Sequence, residues 1–385
     1  MKIAYIGQKG IPMTQGGVEA HVENLAIEMA QKGHDIFVYT RPHYTDKKLK
    51  EFKGVKLISL PSIKTKHLDA ITHTLLASIH ALFQNYDIIH YHAVGPSLFS
   101  FIPRIFSKAK IIGTFHCIDR FHQKWGGFAR LVLRLGEWAI CKFPHITISV
   151  SPHIQKYCAK EYNKETLYIP NGFKINKNLG DNILKKNNLI TKKYFLSVSR
   201  IIKHKGLHYL IEAFKKLNNP EYKLVIVGDT FYNKKYKEYL DEIAVNQKDI
   251  IFTGNQNGKS LDKLFTNALA FVLPSEDEGL SITLLEAIAH KLPVIISNIE
   301  ANAHFIEKNI VYSFENKNID DLKFKMQYVL DNSEKNKEIV EKAYNYIKDT
   351  FSWNCIGNEI DKIYSSVLKD KKSMSIEEVY QKMNG

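Results

Sequence analysis

The feature that most constrains the fold of this chain is a repeated alternation of short apolar runs with longer amphipathic stretches. The runs have the length of buried β-strands, and the stretches between them, such as residues 18–32, have helical periodicity. Such alternation indicates an α/β fold of doubly wound parallel sheets with helices on both faces. The predicted strands are residues 2–7, 35–39, 55–60, 88–91, 110–114 and 146–150, followed by 194–199, 222–227, 249–252, 270–274 and 293–297.

The series of strands is interrupted between residues 165 and 190. Pro170-Asn171-Gly172 is a turn signal, and residues 174–188 are polar without apolar periodicity. For a chain of 385 residues we predict two Rossmann-like domains, at residues 1–170 and 171–365, with the last helices able to pack back on the first domain. Residues 366–385 are predicted to be a peripheral tail. Ligands of such folds bind at the carboxyl ends of the strands, so we expect the site in the cleft between the domains.

Positive charge is concentrated in the first half of the chain. The sequence has 54 Lys and Arg against 40 Asp and Glu, and residues 1–170 hold 22 and 12 of these, which gives +10 of the total +14. A solvated surface, nucleic acid or an anionic membrane would each explain the excess. The basic residues form no dense run and no nucleic-acid-binding motif, which argues against nucleic acid. Residues 121–143 mix basic, Trp and Leu residues, which suits an interfacial helix and equally a buried helix with a basic edge.

The cysteines and the first residues bear on the cellular location. Cys117, Cys141, Cys158 and Cys355 lie far apart and form no Cys-x-x-Cys pair. This spacing argues against a zinc ribbon or a disulfide scaffold and fits a reducing cytosol. The initial apolar run is too short for a signal peptide, and no run reaches the roughly 18 residues of a membrane span. We therefore expect a cytoplasmic protein, either soluble or peripheral.

Two features of the N-terminal half are candidates for ligand contact. Gly16-Gly17 opens the first helix, where backbone N–H groups can face an anion. The Gly-x-Gly-x-x-Gly spacing is absent and the second strand does not end in an acid, which disfavours a hydride-transfer enzyme. His116 directly follows a predicted strand, with Asp119 three residues later, so it should lie at the cleft.

Two cations mark the start of the second half. Arg200 ends the first strand of this half, and Lys205 precedes Gly206 at the start of a helix. Cations that converge near a helix N-terminus can hold a diphosphate.

The strongest motif pairs Glu278 with Glu286. Eight residues of helix span about 12 Å, so these carboxylates do not form an acid/base dyad. We expect Glu278 in the loop before a helix and Glu286 about two turns inside it, with phosphates on the free amides between them. Glu286 stands among leucine, alanine and isoleucine residues, which an exposed acidic turn does not explain.

Taken together, these motifs resemble those of the retaining glycosyltransferases of family 4, which have the two-domain GT-B fold, and most closely the type that builds bacterial cell-envelope polysaccharides. The similarity covers nearly the whole chain. The motifs that carry it are Gly16-Gly17, Pro170-Asn171-Gly172, Ser199-Arg200, Lys205-Gly206, Val227-Gly228, Phe252-Thr253-Gly254, the Glu278/Glu286 pair and Pro293-Val294.

The resemblance implies a role for each site residue. Arg200 and Lys205 would hold the donor diphosphate, Glu286 the ribose, and Glu278 the hydroxyls of the donor sugar. His116 would lie near the anomeric carbon and act with Glu278 in catalysis. The remaining donor-binding residues would be Gly17, Gly254 and the amides of Leu280 and Ser281, although many relatives have glycine at the position of Ser281.

The predicted reaction is the metal-independent transfer of a sugar, with retention of configuration, from a UDP- or GDP-linked donor to an acceptor hydroxyl. Neither a cofactor nor a metal ligand is expected, and no Asp-x-Asp motif is present. The basic half suits a glycan or lipid-linked oligosaccharide acceptor, as in polysaccharide or lipopolysaccharide biosynthesis, at the inner face of the cytoplasmic membrane. Two alternatives are a sugar-nucleotide epimerase of the same fold and a basic nucleic-acid-binding protein, although the latter does not explain Glu278 and Glu286.

Overall fold

The chain is divided into two compact units. The computed structural model describes residues 1–14, 16–65, 68–121, 126–174, 182–230 and 234–369. Unit 1 consists of Met1–Asn171 together with the segment that begins at Trp353, and unit 2 consists of Gly172–Ser352. The predicted tail lies outside the described residues, apart from residues 366–369, as do residues 122–125 and residues 175–181 of the polar stretch.

Each unit contains a parallel sheet, which confirms the predicted fold class. In the described residues the sheet of unit 1 has the order β3-β4-β2-β1-β5-β6-β7-β8, and β3 alone is antiparallel to its neighbour; the sheet of unit 2, β11-β10-β9-β12-β13-β14, is parallel throughout. The strands are β1 (Lys2–Ile6), β2 (Asp35–Thr40), β3 (Glu51–Phe52), β4 (Val55–Ser59), β5 (Ile88–His92), β6 (Lys110–Phe115), β7 (Ile146–Ser149), β8 (Leu167–Tyr168), β9 (Tyr194–Val198), β10 (Lys223–Val227), β11 (Ile250–Gly254), β12 (Ala270–Leu273), β13 (Val294–Ser297) and β14 (Tyr312–Phe314).

Helices connect the strands, as parallel pairing requires. The α-helices of the described residues are α1 (Gly17–Gln31), α2 (Leu68–Ala81), α3 (Val94–Ser97), α4 (Phe101–Phe106), α5 (Gly127–Lys142), α6 (Pro152–Tyr162), α7 (Ile183–Lys186), α8 (Leu207–Leu217), α9 (Lys234–Ile243), α10 (Gly258–Asn267), α11 (Ile282–Ala289), α12 (Ala303–Glu307), α13 (Ile319–Asp331), α14 (Ser333–Thr350) and α15 (Trp353–Lys369). Within these residues, no helix combines the length and the apolar character that crossing a bilayer requires.

Apolar side chains fill both faces of each sheet. Along β1, Ile3 and Tyr5 enter one core of unit 1, while Ala4 and Ile6 enter the core on the opposite face. The same alternation along β9 divides its side chains between two cores of unit 2. Burial of both faces explains why these strands read as continuous apolar runs rather than as alternating ones.

The last described helix, α15, belongs to unit 1, as the sequence allowed for the last helices, although the predicted bounds put residues 353–365 in the second domain and residues 366–369 in the tail. Ile356, Ile360 and Tyr364 of α15 are buried in the same core as Ile3 and Tyr5. Close packing on α1 is possible because residue 357 is glycine: a Cβ at that position would lie 2.4 Å from Cγ of Glu28. Residues at the end of the chain therefore complete the first unit.

Candidate active site

The candidate site of unit 2 lies at the carboxyl ends of the neighbouring strands β10, β9 and β12. Gly228 follows β10 with φ at +139°, and a Cβ there would lie 1.8 Å from the carbonyl oxygen of Ser199, which follows β9. The backbone segments approach too closely for any side chain, which explains this glycine. Gly254 ends β11 with φ at +70°, and its carbonyl accepts the N–H of Gly228 at 3.0 Å. The predicted donor-binding Gly254 is thus at this edge of the sheet.

Lys205 and Glu278 are in direct contact at this edge. The Nζ of Lys205 lies 2.5 Å from Oε1 of Glu278, and the hydroxyl of Ser275 donates to the same oxygen at 2.7 Å. Both side chains of the ion pair are largely buried. The N–H of Glu276 also donates to the carbonyl of His204 at 2.8 Å, which joins the loop after β12 to the turn before α8.

The turn before α8 requires glycine at residue 206. Gly206 has φ at +66°, and a Cβ there would lie 1.9 Å from the carbonyl oxygen of Pro274. This approach brings Lys205 to the loop that carries Glu278. Arg200, the other predicted diphosphate ligand, has an exposed side chain, so its pairing with Lys205 around a ligand stays a prediction.

Helix α11 begins later than the sequence predicts. Ser281 is its N-cap and accepts the N–H of Leu284 at 3.4 Å through its hydroxyl. Glu278 lies in the loop as predicted, but Glu286 is the fifth residue of the helix and lies little more than one turn inside it. The prediction of two turns was wrong because it began the helix at Leu280, whereas α11 begins at Ile282 and Leu280 still lies in the loop, packed on the core of unit 2.

Serine at residue 281 fits the backbone without strain. Its φ of −73° lies outside the left-handed region that favours glycine, so its Cβ does not distort the loop. Its hydroxyl accepts the N–H of Leu284. The earlier N–H groups of the first turn are therefore the ones that can donate to an anion.

Glu286 has an unusually basic carboxylate. Burial, together with a smaller contribution from the nearby charge of Asp262, raises the pKa of this side chain to about 8. Among the described residues, no hydrogen bond or ion pair of the Glu286 carboxyl is found. An unpaired, poorly solvated carboxyl can bind the hydroxyl groups of a ligand.

The Gly16-Gly17 loop of unit 1 leaves space beside the start of α1. Gly16 has φ at +111°, and a Cβ there would lie 2.1 Å from Oε2 of Glu19, so glycine is required. Glu19 in turn accepts the N–H of Lys9 at 3.2 Å through its other oxygen. At Gly17 the space that a Cβ would occupy has no described atom within 4 Å, so glycine there leaves room rather than relieving a clash.

His116 follows β6 and is buried against two further histidines. Its Nε2 lies 3.3 Å from Nδ1 of His92, the last residue of β5, and its ring centroid lies 4.7 Å from that of His21 in α1. Nδ1 of His21 lies 2.9 Å from Oδ1 of Asn171. Burial lowers the pKa of all three rings, to about 4 for His21, so they are neutral at physiological pH.

The environment of His116 was only partly predicted. Asp119, which lies three residues after His116 in the sequence, accepts a hydrogen bond from the Cys117 thiol at 3.6 Å. His116 itself lies at hydrogen-bonding distance from His92. Sequence reasoning missed His21 and His92. The signal for His92 was present, since it ends the strand that pairs with β6 and so shares the carboxyl edge of the sheet with His116.

Helix α5 presents an outer face that is both apolar and basic. Leu131, Leu135 and Trp138 are about half exposed and share this face with exposed Arg130 and Arg134. The inner face packs closely on α3, and glycine at residue 136 permits this packing. A Cβ at that position would lie 2.4 Å from the Val94 carbonyl oxygen. Helix α5 thus has a packed inner face and an exposed outer face, and contact of this outer face with a membrane stays a prediction.

Comparison with known proteins relates both units to enzymes that transfer sugars. Residues 181–346 match the family model of the glycosyl transferases group 1, and residues 15–177 match that of glycosyltransferase family 4. An uncharacterized glycosyltransferase of Methanocaldococcus jannaschii is 25% identical over 96% of this chain and 99% of its own length. The O-antigen chain mannosyltransferase RfbU of Salmonella typhimurium is 29% identical over 61% of this chain and 62% of its own length.

A solved structure has the same fold over its whole length. HepE from Anabaena, in complex with UDP-glucose, matches this chain with a TM-score of 0.79 at 18% sequence identity. The match covers 95% of this chain and 100% of that one.

Proposed function

Since the chain is a glycosyltransferase of the GT-B type, with family 4-like and group 1 domains, we propose that it transfers a sugar from a nucleotide-sugar donor to an acceptor hydroxyl with retention of configuration. The observation that carries the proposal is the contact of Lys205 with Glu278 beside the N-terminus of α11. This contact brings together, at one edge of the sheet, a cation for phosphate and a carboxylate for sugar hydroxyls, beside the first backbone amides of α11.

The charges of unit 2 suit the departure of a nucleoside diphosphate. Cleavage of the anomeric bond leaves negative charge on the diphosphate, which the ammonium of Lys205, the guanidinium of Arg200 and the first amides of α11 would stabilise. These groups are fixed protein cations and dipoles, so the proposed mechanism assigns no role to a metal ion. Glu286 would accept the ribose hydroxyls, and Gly254 and Leu280 would border the nucleotide. HepE, whose structure holds UDP-glucose, supports a UDP-linked donor; a GDP-linked donor is the alternative.

Unit 1 would contribute to the sugar end of the reaction. His116 is neutral because burial lowers its pKa, so it can donate or accept a hydrogen bond near the anomeric carbon without adding a positive charge there. The space beside Gly17 would admit the donor or the acceptor.

The acceptor is proposed to be a glycan or a lipid-linked oligosaccharide at the inner face of the cytoplasmic membrane. RfbU, a relative of this chain, is an O-antigen chain mannosyltransferase, which supports a role in envelope polysaccharide synthesis. The outer face of α5 would dock on anionic lipid, since its leucines and tryptophan can enter the interface while its arginines meet phosphate groups.

A thermal-shift panel of UDP-, GDP- and ADP-linked sugars tests the donor. A ligand at 100 times its Kd stabilises the folded state by about 2.7 kcal/mol, so the true donor is expected to raise the melting temperature by several degrees. Free sugars serve as the control. If no nucleotide shifts the transition, the donor proposal fails.

Retention requires a separate measurement. The anomeric configuration of the product, read by NMR coupling constants with the donor identified above, is expected to equal that of the donor. An inverted product would contradict the proposed stereochemistry, and release of a free epimerised sugar nucleotide would point to an epimerase.

A further inference from the structure

Three buried histidines of unit 1 converge on one point. His21, His92 and His116 each offer a ring nitrogen, and these nitrogens all lie within 4.8 Å of one another. The residues come from α1, from the end of β5 and from the residue after β6, so three separate elements position them. Transfer as proposed above uses only His116, which leaves the other two rings without a role.

The spacing of two of the nitrogens is that of ligands on a tetrahedral metal ion. Nδ1 of His92 and Nε2 of His116 are 3.3 Å apart. Metal–nitrogen bonds of about 2.0–2.1 Å at tetrahedral angles place two ligand nitrogens about 3.3–3.4 Å apart. A hydrogen bond between the two rings is also possible at this distance, so the third ring is the discriminating one.

The third ring presents an unshared lone pair. Nδ1 of His21 lies 2.9 Å from Oδ1 of Asn171, and an amide oxygen only accepts hydrogen bonds, so Nδ1 carries the hydrogen. Nε2 of His21 is therefore unprotonated, and it is buried with no hydrogen-bond partner among the described residues. A histidine whose far nitrogen is fixed by an amide or carboxylate oxygen is the usual arrangement of a metal ligand and its supporting residue.

We propose that His21, His92 and His116 form a binding site for one divalent transition-metal ion of the zinc and cobalt class. Neutral imidazole suits these ions, whereas calcium and magnesium prefer oxygen ligands. The group supplies three nitrogens, so water would take the fourth position. Because these nitrogens lie within 4.8 Å of one another, small side-chain rotations would bring them to a common ion.

The ion would oppose sugar transfer rather than assist it. This consequence rests on the proposed function, in which His116 makes a hydrogen bond near the anomeric carbon. A ring nitrogen of His116 that coordinates the ion would no longer be able to make that hydrogen bond. Zinc is then expected to inhibit transfer. Metal binding itself does not depend on that function, so its test can fail or succeed independently.

The test is a titration of the purified full chain, stripped with EDTA and exchanged into chelator-free buffer, with CoCl₂. Four-coordinate Co²⁺ absorbs visible light far more strongly than the hydrated ion. We expect one equivalent to bind with this absorption, and one equivalent of ZnSO₄ to abolish it. His92→Gln and His21→Gln should each lose the absorption, and Asn171→Ala should weaken binding by about 10–100-fold.

Two controls keep the result interpretable. His80→Gln removes a histidine of unit 1 whose ring nitrogens already contact Tyr39 and Gln84, and it should bind Co²⁺ as the unaltered chain does. Circular-dichroism melting identifies any variant that fails to fold. The proposal is overturned if the unaltered chain shows no four-coordinate absorption, or if folded His92→Gln and His21→Gln both retain it.

Discussion

Lys205 and Glu278 are ion-paired within the protein, with 2.5 Å between Nζ and Oε1. The proposed function gives Lys205 to the donor diphosphate and Glu278 to the donor sugar. A diphosphate that binds Lys205 must therefore compete with Glu278 for the ammonium group. Its binding would release the carboxylate to accept sugar hydroxyls, which couples recognition of the two parts of the donor.

Loss of the Lys205 ammonium should slow transfer. We expect Lys205→Met to lower the turnover rate by about 10²–10³-fold, the usual effect of removing one group that stabilises developing charge. Lys203→Met, which removes an exposed lysine from the same turn, should stay within about twofold of the unaltered rate. Initial rates with saturating donor measure both variants, and near-normal turnover of Lys205→Met would remove this residue from the mechanism.

Glu286 should make the folded chain less stable as pH rises. Its pKa is about 8 in the folded chain, against an ordinary value of 4.5, so the folded state holds a proton that the unfolded state releases. The stability contribution is complete below pH 4.5 and declines until pH passes about 8. Glu286→Gln should remove this decline, so the variant should gain in urea midpoint relative to the unaltered chain between pH 5 and 8.5.

The control for this pH effect is Glu242→Gln, which neutralises an exposed carboxylate of α9. It should leave the shape of the pH profile unchanged. Parallel profiles for Glu286→Gln and the unaltered chain would show that the Glu286 carboxyl ionises normally in the folded state.

Gly206→Ala should destabilise unit 2 by more than the left-handed backbone conformation of residue 206 alone explains. Alanine in the left-handed region costs about 1–2 kcal/mol, and Gly258→Ala, at φ +51° with open space around it, measures that cost. At Gly206 the added Cβ also meets the Pro274 carbonyl, which should cost about 1–3 kcal/mol more. Urea unfolding compares the two variants, and equal losses would mean that the turn relaxes freely.

The outer face of α5 should bind anionic vesicles. The full chain is expected to co-sediment with phosphatidylglycerol-containing vesicles and to bind pure phosphatidylcholine much more weakly. Replacing Arg130 and Arg134 together by serine should lower the partition coefficient about 30-fold, at about 1 kcal/mol for each charge.

The apolar part of the same surface needs its own variant. Leu131→Glu with Leu135→Glu should abolish vesicle binding, whereas Ile190→Glu, which changes an exposed isoleucine of unit 2, should not. Equal binding of all variants, or of both vesicle types, would exclude α5 as the docking surface.

The sequence predicted the strands well where burial is two-sided. Every predicted strand is found, because a buried parallel strand of four to six residues reads as an uninterrupted apolar run. The short strands β3, β8 and β14 were not predicted, since two or three residues carry no periodic signal. Helix α15 was recognised as able to return to unit 1, but its place in that core depends on close contacts such as the one at Gly357.

The sequence predicted which segments share one edge of the sheet in the site, but it predicted less well which side chains are in contact there. Strand order brings the segments after β9 and β12 together, so Lys205 and the Glu278 loop share an edge, but their mutual ion pair depends on side-chain placement. Asn171 was interpreted only as part of a turn. Its hydrogen bond to His21, 150 residues earlier in the chain, has no local signal in the sequence.

The division of the chain between the two units also determines the order in which they can fold during synthesis. All of unit 2, Gly172–Ser352, is contiguous and is synthesised before α15. Unit 1 begins first but must wait for Ile356, Ile360 and Tyr364 to cover its core. The nascent chain therefore carries an exposed apolar surface on its earlier half until α15 has emerged from the ribosome, which makes that half the expected client of a chaperone.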